Sequence, residues 1–495
     1  MDIVESAKMG KNEYFLENLT DFTQPLKLVA DIAELYALKY SSDLLTAKYI
    51  IKLKKILGAV ELTILSAGEV LFAKNIDLLE IPEHKHKQQV KLSLFLAFRQ
   101  IFPARKIAWG ILRGVRPLKL VSKLLKKFQE PELVRSYLID NYALTAEKAT
   151  LAIEVARAQN HLLAGYGKQD ISIYIGIPYC NTKCSYCSFP SSLLPNQAET
   201  IEIFLQTIEQ DIQNVLQLTN EYNLNVACLY IGGGTPTSFS ETHFRKFVDI
   251  LKRYFPRTVK REFTFEAGRV DSLSKLKLEQ MHVLGINRIS LNPQTLNEKT
   301  LKLIGRQHSL SEFYKWYYYV KTNYPEWTIN ADIILGLPQE NIEDVRFTLS
   351  QLKEFTPHNI TIHTLAFKKG TELFQDVGRY YEVNTLSQMA TLASDFMQKL
   401  NQEAYYLYRQ HYILGNLENI GYAVKGYECV YNAMIMSEEF TVLGVGPSAT
   451  TKIISENGKI TTFFMPKNVE TYISEIANLL VRREQLFRNA IKKQE

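Results

Sequence analysis

Tyr174-Ile175-Gly176-Ile177-Pro178-Tyr179-Cys180-Asn181-Thr182-Lys183-Cys184-Ser185-Tyr186-Cys187-Ser188-Phe189 is the stretch on which the reading of this chain turns. Its first residues close a β-branched, apolar run, Ile171–Ile177, that predicts a strand, and the cysteines then fall on a loop. Three thiolates spaced C-x3-C-x2-C can hold three irons of a four-iron cluster and leave the fourth iron open to a small molecule. A fully ligated electron-transfer cluster needs four cysteines. A structural zinc site needs a fourth ligand and usually pairs two C-x2-C units. The chain has five cysteines, three of them within these eight residues, and no second pair exists. Cys228 falls in a predicted strand and Cys429 stands alone, and each reads as a buried small side chain. So tight a cluster also argues against a secreted disulfide framework.

Outward from this loop the chain alternates between strand and helix. Six runs rich in β-branched and aromatic residues predict strands: Ile171–Ile177, Val226–Ile231, Glu262–Glu266, Arg288–Asn292, Thr328–Leu335 and Asn359–Leu365. Amphipathic stretches lie between them, among them Ala198–Tyr222, His243–Tyr254, Ser274–Leu284 and Ile342–Leu352. Repeated strand–helix units predict an α/β fold with a parallel sheet, either a partial (β/α)6 barrel or an open doubly wound sheet. In a barrel the cysteine loop sits at the C-terminal ends of the strands, where chemistry is normally built.

Before Asp170 the pattern changes. Tyr49 to Ile81 predicts strands with a turn near Gly68, Lys87 to Ile101 a helix, and helices continue to about Leu163. An N-terminal α+β domain is expected over 1–165, with Gly165-Tyr166-Gly167 as linker. The barrel is expected over 170–370. A mostly helical C-terminal domain over 371–495 is expected to cover the active site. It opens with a helix (Ser387–Glu403) and ends in a strand-like tail with an Asn457-Gly458 hairpin signal.

The chain has 495 residues, 46% hydrophobic and 22% charged, enough for two or three ordinary cores. The net charge of +6 permits an anionic substrate without demanding nucleic acid. Met1-Asp2-Ile3-Val4-Glu5 is no secretory signal, and Leu92–Phe98 is too short to cross a bilayer. A cytoplasmic protein with no membrane partner is expected. Arg105–Lys127 holds eight basic and no acidic residues. It reads as a solvated helix face rather than a dock for RNA or an acidic electron donor, so nucleic acid is not an expected partner. Leu443-Gly444-Val445-Gly446-Pro447-Ser448-Ala449 fits a dinucleotide fingerprint, but a hairpin rather than a helix follows, so that reading fails.

The ends of the later strands carry polar residues. The second ends in Gly232-Gly233-Gly234-Thr235-Pro236-Thr237, where glycines admit a close backbone approach and no phosphate-loop lysine follows. Then come Glu266-Ala267-Gly268-Arg269, Asn292-Pro293-Gln294-Thr295, Ile304-Gly305-Arg306-Gln307-His308, Asp332 and His363-Thr364-Leu365-Ala366. A carboxylate such as Asp332 inside an apolar strand must be paired, by ribose hydroxyls or by a neighbouring arginine.

The cysteine spacing, with an aromatic before the third cysteine, resembles the radical S-adenosylmethionine superfamily. Together with the later motifs it resembles oxygen-independent coproporphyrinogen III oxidase and its relatives. Tyr405-Tyr406-Leu407-Tyr408-Arg409-Gln410, Gly415-Asn416-Leu417-Glu418-Asn419 and Trp109-Gly110-Ile111-Leu112-Arg113-Gly114-Val115-Arg116-Pro117 extend the likeness to its HemZ-type coproporphyrinogen dehydrogenase branch. The resemblance implies a radical-SAM partial barrel and a [4Fe–4S] cluster on Cys180, Cys184 and Cys187. It also implies S-adenosylmethionine contacts from Tyr174, Tyr186, Gly233, Gly234, Thr235, Glu266, Gln294, Arg306, Asp332 and Ala366. The implied reaction converts two propionates of coproporphyrinogen III, or a related tetrapyrrole, to vinyl groups. A reduced flavodoxin or ferredoxin-type protein is the implied electron donor. Tyr174 and Arg409 are the catalytic candidates, Arg409 because a guanidinium suits a carboxylate. Haem chaperones, radical methyltransferases and other tetrapyrrole enzymes share these core residues, and they stay open as alternatives.

Overall fold

The computed structural model describes residues 12–255, 261–367 and 383–492. The Met1–Glu5 reading and the expected 370/371 domain boundary lie outside the described residues. The chain divides into two compact units, Met1–Pro117 with Lys123–Ile153, and Leu118–Ser122 with Glu154–Glu495.

The first unit holds strands β1 (Glu13–Leu19), β2 (Lys39–Tyr40), β3 (Tyr49–Ile56), β4 (Ala59–Ser66) and β5 (Glu69–Asp77). Their order is β2-β1-β3-β4-β5, with β1 parallel to β3 and the β3-β4-β5 meander antiparallel. Alternation fixes the register: Val60, Leu62 and Ile64 of β4 are buried while their neighbours are not. Helices α1 (Pro25–Ala33) and α2 (Glu83–Ile101) belong to the same core, with Val90, Leu94 and Phe98 at a four-residue spacing. Helices α3 (Pro117–Phe128), α4 (Pro131–Tyr142) and α5 (Ala146–Leu163) follow, and proline starts α3 and α4, where its missing N–H costs nothing. The predicted Gly68 turn is present, with a second turn at Gly58.

In the second unit all six predicted strands appear: β6 (Asp170–Ile177), β9 (Asn225–Gly233), β10 (Glu262–Glu266), β11 (Arg288–Ser290), β12 (Thr328–Leu335) and β13 (Asn359–Thr364). Short strands β7 (Tyr179–Cys180) and β8 (Ser192–Leu193) pair across the cysteine loop. The six long strands run parallel in chain order. Between them lie α6 (Ala198–Glu221), α7 (Glu241–Tyr254), α8 (Lys275–Leu284), α9 (Glu298–Leu303), α10 (Leu310–Asn323) and α11 (Ile342–Phe355). Side-chain caps from Ser240, Ser274, Asn297, Ser309 and Asn341 begin five of them.

The C-terminal segment contributes α12 (Val383–Lys399), which the periodicity of Ser387–Glu403 predicts, and α13 (Val430–Ser437) and α14 (Val469–Lys492), which lie in the stretch read as a strand-like tail. Its strands β14 (Glu403–Tyr408), β15 (Asn419–Ala423), β16 (Val442–Val445), β17 (Thr450–Ile454) and β18 (Ile460–Phe464) form no sheet of their own. They extend the parallel sheet at both edges, giving the order β14-β15-β13-β12-β11-β10-β9-β6-β16-β17-β18. The sheet is open among the described residues, since β14 and β18 end it without pairing. The β16–β17 hairpin occupies the rejected dinucleotide fingerprint, and Gly458 turns β17 into β18. Among the described residues no helix is long and apolar enough to cross a membrane.

The parallel strands have two chemically distinct faces. Ile171, Ile173, Ile175, Leu229, Ile231, Phe263, Phe265 and Ile289 make the apolar one. The opposite face carries Tyr174, Tyr230, Glu262, Glu266, Arg288, Asn330, Asp332 and His363, joined pairwise by hydrogen bonds, an ion-pair contact and a ring stack.

Candidate functional site

The cysteine loop leaves β6 at Pro178. Glycines hold it against the end of β9: the N–H of Gly234 donates to Ile177 O at 2.7 Å, and that of Thr235 to Tyr179 O at 2.7 Å. A Cβ on Gly234 would stand 2.7 Å from Tyr179 O and 2.9 Å from Cys180 Sγ. Gly233 has φ 114°, and its Cβ would meet Ile177 O at 2.6 Å. The close approach inferred from sequence is thus an approach to the cysteine loop itself. On the far side, the N–H of Ser185 donates to Ile304 O at 3.1 Å, and Gly305 leaves room beside Lys183 O.

All five cysteines are free thiols. Cys180 lies 3.5 Å from Thr235 Oγ1. Burial pushes the Cys180 and Cys187 thiols up, and Cys187 feels both other thiols of the motif. Among the described residues no three His, Cys, Asp or Glu side chains stand close enough together to hold a single ion. Three mutually interacting thiols on one glycine-lined loop fit a larger cluster. Cys228 and Cys429 are fully buried, away from this loop. Cys429 Sγ donates to Glu262 Oε1 at 3.3 Å.

Around the loop stand the polar strand ends. Tyr230 donates to Glu266, and burial raises the Glu266 carboxyl to about 7. Gly232 has no Cβ because Glu266 Oε2 would be 2.6 Å from it. Gln294 adopts φ 65°, a sparsely populated conformation for a residue with a side chain. It is held there by bonds from its N–H to Asp332 O at 2.9 Å and from Ile334 N–H to its carbonyl at 2.8 Å. Asn292 Oδ1 accepts from the Asp332 N–H at 3.2 Å. Arg306 is buried and donates to Tyr186 Oη at 3.1 Å, to Gly268 O at 2.5 Å and to Asn292 O at 2.8 Å. One arginine thereby ties the residue before Cys187 to two strand ends. Ala366 forms an isolated bridge with Ile413.

Asp332 is paired, though with a histidine rather than with the arginine weighed in the sequence: His363 Nε2 lies 3.6 Å away. Tyr408 Oη is 3.2 Å from the other ring nitrogen, His363 Nδ1. Tyr174 stacks on Tyr230 and Tyr431 at 6.1 and 6.2 Å, and Tyr230 and Tyr431 are 4.3 Å apart. Burial drives all three phenols far above their ordinary range.

Among the described residues the partners of Arg409 are backbone and side-chain groups of the 416–417 turn. Arg409 is 3% exposed, and its guanidinium donates to Leu417 O, Asn416 O and Asn416 Oδ1. It fastens the 414–417 turn just beyond the end of β14. Tyr405 and Tyr406 are buried too, bonded to Asn359 at 2.8 Å and to Thr361 at 2.9 Å, as a core patch requires. Of this cluster, Tyr408 alone reaches the Asp332–His363 pair through a described bond.

Residues not selected from sequence also stand here. Arg269 and Asp271 lie behind the cysteine loop. His308 is buried with neither ring nitrogen hydrogen-bonded among the described residues, and burial followed by the nearby Arg306 charge lowers its pKa to about 4. Arg269 and His308 sit inside segments singled out in the sequence. Tyr431 gives no local signal, being on a helix far along the chain.

The Radical SAM superfamily model matches residues 174–352. The oxygen-independent coproporphyrinogen-III oxidase-like protein HemZ of Bacillus subtilis is 36% identical over 402 residues, covering 79% of this chain and 80% of that protein. The heme chaperone HemW of Buchnera aphidicola is 29% identical over 308 residues, covering 61% of this chain and 76% of the relative. The solved structure of Escherichia coli coproporphyrinogen III oxidase (HemN) shares the fold, with a TM-score of 0.50 and 18% identity over 65% of this chain and 72% of that one. Radical SAM proteins use a [4Fe–4S] cluster and S-adenosylmethionine, and these are the cofactors here. At 36% identity over 79% of its length, this protein belongs to the HemZ family of oxygen-independent coproporphyrinogen-III oxidase-like proteins, within the Radical SAM superfamily.

Proposed function

We propose that this chain catalyses the oxygen-independent oxidative decarboxylation of coproporphyrinogen III to protoporphyrinogen IX, in the cytoplasm. The observation that carries the reading is the convergence of the three-thiol loop, the glycine turn and the polar ends of the parallel strands at one edge of the sheet, in a chain with a HemZ relative. Cys180, Cys184 and Cys187 would hold the cluster. Tyr174, Tyr186, Gly233, Gly234, Thr235, Glu266, Gln294, Arg306, Asp332 and Ala366 would contact S-adenosylmethionine. Bound together, the two cofactors supply a 5′-deoxyadenosyl radical able to take hydrogen from an unactivated carbon.

The protein's part is to bind, orient and exclude water. The Gly233–Gly234 turn would present backbone groups to the ligand. Glu266 and Asp332 would offer carboxylates to its amino and hydroxyl groups. The Tyr174–Tyr230–Tyr431 stack supports an apolar, water-poor wall beside them. In the reaction each propionate would give one hydrogen atom to the radical, forming deoxyadenosine, and one electron to an external one-electron acceptor, while its carboxylate leaves as carbon dioxide and a vinyl group remains. A flavodoxin or ferredoxin-type protein would deliver the reducing electron. The C-terminal residues that extend the sheet would close over the substrate.

The test is an anaerobic incubation of cluster-reconstituted protein with S-adenosylmethionine and dithionite, with and without coproporphyrinogen III. Mass spectrometry follows deoxyadenosine and the tetrapyrrole together. Substrate-dependent deoxyadenosine with loss of two carboxyl groups is expected. An unchanged tetrapyrrole would sink the decarboxylase reading. The likeness to HemW favours one second reading, a haem-binding chaperone. A saturable absorbance change on titration with haem, without decarboxylation, would support it.

A further inference from the structure

Arg269 follows β10 and is 4% exposed. One edge of its guanidinium grips a carboxylate: Nε donates to Asp271 Oδ1 at 3.2 Å and Nη2 to Asp271 Oδ2 at 2.8 Å. The other edge faces the cysteine loop, with Nη1 3.3 Å from Thr182 O and 3.5 Å from Cys184 Sγ. The backbone is fixed as well, since Ser272 Oγ donates to Arg269 O at 2.7 Å. The two charges together do not shed their influence into solvent, because the side chain of Asp271 is only 17% exposed. The second buried cation nearby, Arg306, spends its bonds on Tyr186, Gly268 and Asn292 rather than on a cysteine sulfur.

Reduction of a thiolate-bound cluster adds one negative charge. A donor N–H on a ligand sulfur and a cation in a poorly solvated site both favour the more negative state, so they raise the reduction potential. A carboxylate beside that cation offsets part of its field and fixes its direction.

We propose that Arg269 and Asp271 are a positioning pair that sets the reduction potential of the cluster on Cys180, Cys184 and Cys187. Arg269 raises the potential through Cys184 Sγ, and Asp271 limits how far. This rests on the cluster assignment of the proposed function. The step is a one-electron transfer: a low-potential donor is oxidised, the cluster passes from the 2+ to the 1+ state, and no bond forms or breaks.

The experiment is an anaerobic dithionite titration of the reconstituted full-length protein, followed by electron paramagnetic resonance and visible absorbance. Wild type is compared with Arg269→Met, Arg269→Lys and Asp271→Asn, at equal iron and sulfide content. Arg269→Met is expected to lower the reduced-to-oxidised ratio at a fixed donor potential by tenfold or more, about 59 mV for one electron. Arg269→Lys is expected to fall between it and wild type, and Asp271→Asn is expected to move the potential the opposite way. An unchanged potential in Arg269→Met with a full cluster, or shifts of the same sign in Arg269→Met and Asp271→Asn, overturns the proposal. Where Arg269→Met takes up no cluster, Asp271→Asn decides: a rise supports the pair's role, and no rise overturns it. A wild-type chain that takes up no cluster overturns the cluster reading first, and the pair's role with it.

Discussion

Two glutamates carry charge that the fold disfavours. Burial raises Glu340 to about 7 from an ordinary 4.5, although Thr295 Oγ1 donates to it at 2.5 Å. Below pH 4.5 the carboxyl is neutral in the folded and unfolded chain alike. As pH rises toward 7 the unfolded chain loses its proton first, so the folded state binds more protons and stability falls. Glu340→Gln is expected to remove its share of that fall, worth up to about 3 kcal/mol, in urea unfolding of the apoprotein measured from pH 4.5 to 8, and to leave the share of Glu266 in place. A wild-type slope persisting in the variant would contradict the assignment. Glu266 behaves alike in the empty site, but its charge is the form that would bind the cationic cofactor. S-adenosylmethionine affinity should therefore strengthen as pH rises through about 7, and equilibrium binding to Glu266→Gln should lack that step. At Gly234 the prediction is steric. Gly234→Ala puts a methyl group against Tyr179 O and Cys180 Sγ, and iron analysis after reconstitution should show loss of most cluster. At this scale the cysteines were legible because their spacing is local. Asp271 and Tyr431 were not, because only the fold brings Asp271 to Arg269 behind the loop and Tyr431 onto Tyr230.

Among the described elements, α13 is held at its start by a single buried side chain. The Glu262 carboxylate accepts from the N–H groups of Val430 at 2.9 Å and Tyr431 at 3.1 Å, which are unpaired donors at the start of that helix. Arg288 Nε bonds the same carboxylate at 3.1 Å and Arg288 Nη2 holds Glu428 O at 2.8 Å. Both charged side chains are buried, at 3% and 5% exposed. Removing one would strand the other. Glu262→Ala is expected to cost about 3–5 kcal/mol in thermal or urea unfolding, and a loss under 1 kcal/mol would show that α13 is held by packing instead. Because α13 carries Tyr431 onto Tyr230, the same variant should also disturb the aromatic wall. The six parallel strands could be read from sequence since each is a short apolar run between amphipathic helices. Strand β1 could not: Glu13 to Leu19 is mostly half-exposed, with charges breaking the alternation. Strands β14 and β15 carry no turn signal that names their partners, so their place at the edge beside β13 emerges only from the fold.

Across the whole molecule, the site unit is one sheet whose edges come from the C-terminal segment. Helix α14 is anchored to it by a buried pair: Arg483 and Asp211 meet at 2.6 Å, and Arg483 Nη1 also holds Gly444 O at 2.8 Å. Tyr472 Oη donates to Asp211 at 2.7 Å, and the Gly446 N–H to the same carboxylate at 2.9 Å. The tail thereby secures β16 beside β6, the strand that launches the cysteine loop. Sequence assigned this segment to a covering domain, since helical periodicity is visible along a chain while membership of a distant sheet is not. Cys180, Cys184 and Cys187 are proposed to hold a four-iron cluster with one iron open to S-adenosylmethionine. Electron paramagnetic resonance of the reduced, reconstituted protein, recorded before and after addition of S-adenosylmethionine, tests it directly. A reduced-cluster signal that changes on addition, and that is lost in Cys184→Ala, is the expected result. A signal indifferent to S-adenosylmethionine, or one that survives in Cys184→Ala, would contradict it.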